Sequence, residues 1–265
     1  MSCNIILQMS FIISRKKKNK DDKRIAIIHG GKYDKQFIIS TSNPDGVKDI
    51  FIRDGDVEPL PDFKIHEKIC ISGPSYSGKS FYASMWSKNY VKRSPRDIII
   101  ISGLDEDKEL DKLTKYTDVY RVPMDETFFE LTVEDMANSI VIFDDVCLIP
   151  DPELRKFAAR LEDELLKGAR HNDIVMLSTN HILLGGMATQ SLLMEATSVV
   201  LFPQTIDRGQ IINYLQKRLK FNKRQLEKFT RIPSRWVALY KQNPYFLHEH
   251  GAYRINEIPP LKSHR

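Results

Sequence analysis

The chain has 265 residues, 42% hydrophobic and 28% charged, with a net charge of +5 from 40 basic and 35 acidic side chains. These proportions suit a globular chain that buries a sizeable core as one large domain with appendages, and so mild a basic excess identifies no partner by itself. Neither a membrane helix nor a secretory signal is expected: the most apolar N-terminal stretch, residues 5–13, includes Gln8 and Ser10 and precedes its basic run, while a span needs roughly 20 apolar residues and a signal the reverse order.

Residues 1–22 read as a disordered basic arm. Residues 15–24 hold seven Lys and Arg, a run that serves either as a solvated arm or as a nucleic-acid contact. Short apolar runs follow at 25–28, 36–41 and 47–53, separated by Gly30-Gly31 and Asn43-Pro44-Asp45-Gly46. Apolar runs between turn signals are strands, so residues 23–62 are expected to form a small β appendage closed by Pro59 and Pro61.

From residue 65 the pattern alternates strand and helix. Ile69-Cys70-Ile71 leads into Gly73-Pro74-Ser75-Tyr76-Ser77-Gly78-Lys79-Ser80-Phe81. A strand, a loop bounded by glycines, and Lys-Ser opening a helix are the parts of a P-loop. Gly78 lets phosphate approach the main chain, the loop N–H groups form an anion nest, and the helix start adds its positive end. Residues 73–81 are therefore the candidate nucleotide-binding set. Within it Lys79 is placed to reach the β- and γ-phosphates and the Ser80 hydroxyl to bind Mg²⁺. Tyr76 crowns the loop, as a cover for the nucleotide or as a solvent-facing side chain.

Residues 80–91 carry Phe81, Met85, Trp86 and Tyr90 at helical spacing, ended by Ser94-Pro95. Residues 97–102 form an apolar run suited to a parallel strand covered on both faces. A helix over 105–116, a strand over 119–122 and a short helix over 131–138 are expected next. The run Ile140-Val141-Ile142-Phe143 then ends in Asp144-Asp145. Downstream of a P-loop this is the Walker B arrangement, with Asp144 holding Mg²⁺ and Asp145 orienting or deprotonating the attacking water.

Asp151-Pro152-Glu153 starts a further helix as N-cap, first position and first-turn acid. Leu154, Phe157, Ala158, Leu161 and Leu165 form its apolar face. Residues 174–181 are another buried strand, with Asn180 and His181 at its end. Strands are expected at 198–202, 236–240 and 245–250, and helices at 210–219 and 222–229. Residues 217–235 contain eight Lys and Arg with Phe221 and Phe229 among them, which suits either phosphate-backbone contact or a solvated helical face. Cys3, Cys70 and Cys147 form no C-x-x-C pair, so reduced, mostly buried thiols and no structural zinc are expected. His248 and His250 alternate on the last expected strand with no matching third and fourth ligand, which points away from a metal site.

Three blocks in order, 73–80, 140–146 and Gly168-Ala169-Arg170-His171-Asn172 through Asn180, resemble the genome-packaging ATPases of large double-stranded DNA viruses, poxvirus-like members of the FtsK–HerA branch of P-loop NTPases. The resemblance covers roughly residues 65–205. It implies a three-layer α/β fold of RecA/ASCE type with a mainly parallel sheet, and the sensor strand between the P-loop and Walker B strands. Residues 63–216 would be the ATPase core, and 217–265 basic helices and closing strands attached to it. It also implies that Gly73, Gly78, Lys79 and Ser80 bind ATP and Mg²⁺, with Ser80 and Asp144 holding the metal. Asp145 stands where the superfamily often has Glu, and Asn180 at the polar-sensor position. Arg170 is the leading candidate for an arginine finger reaching a neighbouring subunit, with a structural salt bridge and Arg208 as the alternatives. The implied function is an ATP-driven homo-oligomeric ring that moves double-stranded DNA into a capsid in the host cytoplasm, with capsid or portal components as partners. Another FtsK–HerA-type pump or helicase, a small-molecule phosphotransferase and a scaffold with a decayed site are the other readings of the same motifs.

Overall fold

A computed structural model of the protein describes residues 10–42, 46–181, 183, 187–241 and 244–255. Cys3, the turn residues Asn43-Pro44-Asp45, the link residues Gln242-Asn243 and the tail 259–265 lie outside them. The first strand, β1 (Ser10–Ser14), falls inside the expected disordered arm. Phe11 and Ile13 pack against the hydrophobic core, and this burial orders a segment whose neighbouring charges suggested none. The next strands are β2 (Lys23–His29), β3 (Phe37–Thr41), β4 (Asp49–Phe51) and β5 (Asp56–Pro59). Four of the five make an antiparallel sheet in the order β1-β3-β2-β5. The exception is β4, which joins the main sheet instead.

The core begins with β6 (Lys68–Ser72), α1 (Lys79–Val91), β7 (Ile98–Ser102), β8 (Val119–Arg121) and β9 (Ile140–Asp144). It continues through α2 (Pro152–Gly168), β10 (Val175–Asn180), α3 (Met187–Glu195) and β11 (Ser198–Leu201). The sequence pattern missed α3. After α4 (Arg208–Lys217) and α5 (Lys223–Thr230), three antiparallel strands close the sheet: β12 (Val237–Tyr240), β13 (Tyr245–His248) and β14 (Gly251–Arg254). The ten-stranded order is β4-β14-β13-β12-β11-β6-β10-β9-β7-β8. Strands from β11 to β8 run parallel and helices flank the sheet, giving the three-layer α/β fold. Ile69, Ile71, Ile98, Ile100, Ile140, Ile142, Val175 and Leu177 are at most 1% exposed, as strands covered on both faces must be.

Several expected elements differ. The helix expected over 105–116 is a single 3-10 segment, Asp111–Lys115. Asp107 accepts from the Glu109 and Leu110 N–H groups while Asp111 accepts from the Asp107 N–H, and such local bonds compete with helix formation. Over 131–138 only the turn Glu134–Met136 forms, stopped by Asn138 at φ +59°. The strand expected to run to His250 ends at His248, because Glu249 and His250 form the turn into β14. His248 is fully buried, and burial, reinforced by neighbouring His250, pushes its imidazole down to about 3. Phe221 and Phe229 are core residues packed on Phe246, so they do not interleave with the exposed basic side chains. Cys70 is buried as expected, whereas Cys147 is exposed.

Candidate nucleotide and hydrolysis site

The parallel strands end together. Ser72 on β6 lies beside Leu201 on β11 and Asn180 on β10, Thr179 lies beside Asp144 on β9, and Asp144 lies beside Ser102 on β7. This register places the P-loop, the polar end of β10 and the two acids along one edge. Gly73 donates its N–H to the Asn180 carbonyl at 2.9 Å, stitching loop to strand. A Cβ on Gly73 would meet Ser77 Oγ at 2.4 Å and the Phe202 ring at 2.7 Å, so glycine is needed there to let the loop fold over Phe202. Gly78 adopts φ +105° as the N-cap of α1, with no side chain capping the helix. Unlike these, Tyr76 stands fully in solvent at φ +63°, the second of its two expected placements.

Lys79 is only 6% exposed. Its Nζ donates to the Gly73 carbonyl at 3.0 Å and the Pro74 carbonyl at 3.4 Å, and lies 3.3 Å from Asp145 Oδ2. The cation is thus folded into its own loop. The hydroxyls of Ser72 and Ser77 are buried with no hydrogen-bond partner among the described residues. Orphaned donors beside an uncapped helix start fit a polyanion. Ser80 is half-buried at the first turn of α1, and Phe81 is exposed with the Arg235 guanidinium 5.3 Å from its ring centre.

Asp144 is 3% exposed, with Thr179 Oγ1 at 2.9 Å from one oxygen and Ser102 Oγ at 3.4 Å from the other. Burial raises its carboxyl, as do the neighbouring Asp145 and Asp107 charges. A dication would reverse that penalty, so the chemistry of this buried acid fits Mg²⁺. Asp145 takes a left-handed backbone, φ +46°, at the start of the turn Val146–Leu148. That conformation swings its carboxylate back over the edge. There Oδ2 meets Lys79 and, at 2.8 Å, His181 Nε2, while its own N–H donates to Thr179 Oγ1 at 3.0 Å.

Thr179 and His181 are site residues that the sequence reading did not assign. Thr179 touches both acids through one hydroxyl, and His181 stands one residue past the end of β10 with no motif to mark it. Among the described residues no His/Cys/Asp/Glu group could hold a metal by itself. Asn180 is half-buried, and its Nδ2 donates to Ser178 Oγ at 2.9 Å.

The two arginines sit at opposite edges. Arg208 is the first residue of α4, exposed, at the strand edge that carries the P-loop. Arg170 lies in the turn Ala169–His171 between α2 and β10, at the other end of the strands. It is exposed, makes no ion pair among the described residues, and donates to His171 Nε2 at 3.4 Å. With Lys64, His66, Lys68, Lys167 and Glu195 it lines a cleft of about 590 Å³. Within one chain, therefore, Arg170 does not meet the P-loop.

No family model matches the chain. A curated relative, the uncharacterized protein V3 of Sputnik virophage, is 30% identical over 240 residues, 88% of this chain and 96% of the relative. The chain belongs to the V3 family. This member of the V3 family shares its fold with the conjugation coupling protein TcpA of pCW3, at a TM-score of 0.50 and 12% identity over 93% of this chain and 88% of that one. The genome packaging NTPase B204 of Sulfolobus turreted icosahedral virus 2 aligns over 69% of this V3-family chain and 96% of its own, at 14% identity and a TM-score of 0.48. Among the described residues of the V3-family chain, no helix is long and apolar enough to cross a membrane.

Proposed function

We propose that the chain is an ATP-hydrolysing motor that moves double-stranded DNA into a viral capsid, working as a homo-oligomeric ring. The observation that carries the reading is the sheet edge itself. Strand β10 lies between β6 and β9, so Asn180 stands between the P-loop and the Asp144-Asp145 pair. A relative encoded by a virophage supports the viral setting.

The roles follow from the resting contacts. Lys79 exchanges the Gly73 and Pro74 carbonyls for the β- and γ-phosphates. Ser80 and Asp144 would hold Mg²⁺, which when bound neutralises charge on the transferring phosphoryl group. Released from Lys79, Asp145 accepts the proton of the attacking water, with His181 holding its Oδ2. Asn180 orients that water or contacts the γ-phosphate.

Arg170 supplies the missing cation to a neighbour. An exposed arginine without an ion-pair partner among the described residues, far from its own P-loop, suits a finger acting between subunits, and such a residue contributes on the order of 10³–10⁵ in rate. A motor must pass any sequence, so phosphate-backbone contacts from the exposed basic side chains of 217–235 suffice.

The test is ATPase activity with and without duplex DNA at two salt concentrations, alongside the oligomeric mass. Hydrolysis stimulated by DNA, with DNA binding that falls steeply as salt rises, is expected. Lys79→Ala abolishes turnover, and Arg170→Ala abolishes it while ATP still binds. A wild-type monomer hydrolysing at the full rate rules out the finger between subunits. Phosphorylation of a small-molecule acceptor without DNA rules out the motor.

A further inference from the structure

Inside the α2 helix, Glu162 is an acid in an apolar place. It is 7% exposed, and burial raises its carboxyl while a bond from Ser178 opposes the rise. An unpaired buried carboxylate is costly, so its persistence in a core position asks for a reason. Among the described residues its one side-chain partner is Ser178 Oγ, which donates to Glu162 Oε1. Ser178 Oγ in turn accepts from Asn180 Nδ2 at 2.9 Å. Residues 178 and 180 share one face of β10, while Thr179 on the alternate position engages the two acids.

The polarity of this chain is fixed from its buried end. Ser178 Oγ donates to Glu162 Oε1, so its single proton is committed there. Ser178 is then left to accept, and the Asn180 amide must turn its nitrogen inward. The Asn180 carbonyl oxygen is consequently the end that faces away, free to accept a hydrogen bond from water. An amide carbonyl so directed is what orienting an attacking water requires. Were Glu162 replaced by a group able to donate, Ser178 could reverse and the amide could flip.

We infer that Glu162 is a positioning residue for hydrolysis: through Ser178 it locks the Asn180 side chain with its carbonyl toward the phosphate end of the site. The inference rests on the role proposed for Asn180. It extends the site through β10 to α2, the helix that leads into Arg170.

The test uses Glu162→Gln, which keeps the volume and puts a group able to donate at the buried end. Turnover, ATP affinity and melting temperature are measured for wild type, Glu162→Gln, Ser178→Ala and the double variant. Glu162→Gln is expected to lower kcat about tenfold with ATP affinity within twofold of wild type. The double variant should be no slower than the slower single one, because both cut the same chain of hydrogen bonds. Wild-type kcat in Glu162→Gln, with only the melting temperature moved, overturns the inference and leaves a structural acid. Losses that multiply in the double variant also overturn it. Asn180→Ala separates the two levels: if it hydrolyses ATP at the wild-type rate, the role of Asn180 fails and the relay with it, whereas a slow Asn180→Ala beside a fast Glu162→Gln sinks the relay alone. A wild-type protein that hydrolyses no nucleotide overturns the proposed function and this inference together.

Discussion

Glu67, just before β6, is 1% exposed, and burial pushes its carboxyl up to about 7 although its Oε1 accepts the Asp62 N–H and Lys23 lies near. Its Oε2 has no hydrogen-bond partner among the described residues. The unfolded chain loses this proton near 4.5 and the folded chain near 7. Its contribution is therefore intact below 4.5 and declines as pH rises through that interval, by on the order of 3 kcal/mol in total. Urea denaturation at pH 4.5 and pH 8 should show Glu67→Gln gaining on wild type at the higher pH; an equal difference at both would refute it. Buried His248, lowered to about 3, loses stability in the other direction, as pH falls from 6.5, and cancels in that comparison. Lys79, Ser80, Asp144 and Asp145 were legible because fixed spacing and an apolar strand announce them. Thr179, His181 and Ser178 were not. Each is an ordinary polar residue near a strand end: the register of β10 against β9 brings Thr179 and His181 to the two acids, while Ser178, on the other face of the strand, meets Glu162 of α2.

Among the elements, α2 and α5 follow their capping signals. Asp151 accepts from the Glu153 and Leu154 N–H groups at 2.8 and 2.9 Å, and Asn222 with Gln225 completes a capping box. Asp151→Ala should cost about 1 kcal/mol, read as a lower melting temperature with the same helical content in far-ultraviolet dichroism. A loss of several kcal/mol would mean that the cap supports more than its own turn. The same capping chemistry misled where it repeats. In 105–116 and 131–138 acidic side chains bond to nearby N–H groups without an apolar face long enough to carry the helix on. Helix α3 escaped because the sequence ahead of it, Leu184-Gly185-Gly186, offers no Ser, Thr, Asp or Asn signal and no amphipathic stripe stands out. The basic run 217–235 was legible as charge, but the inward turn of Phe221 and Phe229 required knowing that β13 lies beneath them, with Phe246 on it.

Across the whole molecule, the small N-terminal sheet is tied to the core by β4, which lies between its strands in sequence but pairs in the main sheet. Ile50 on β4 pairs with Ala252 on β14, Ile52 donates to the His250 carbonyl at 2.7 Å, and Val57 donates to the Glu249 carbonyl at 2.9 Å. Gly251 permits the approach: it holds φ +147°, and a Cβ there would lie 1.9 Å from the Ile50 carbonyl oxygen. Gly251→Ala should therefore cost more than ~2 kcal/mol. Amide exchange would accelerate first at Ile52 and Val57 while β6, β9 and β10 stay protected; uniform acceleration would show that the seam and the core open as one. This join also sets an order in time. During synthesis β4 leaves the ribosome early and must wait, its edge unpaired, until β14 has been made. The parallel strands from β6 to β11 can assemble before then, so the seam is the last part of the fold to close. In that interval the exposed edge is the part of the nascent chain most open to mispairing with another copy.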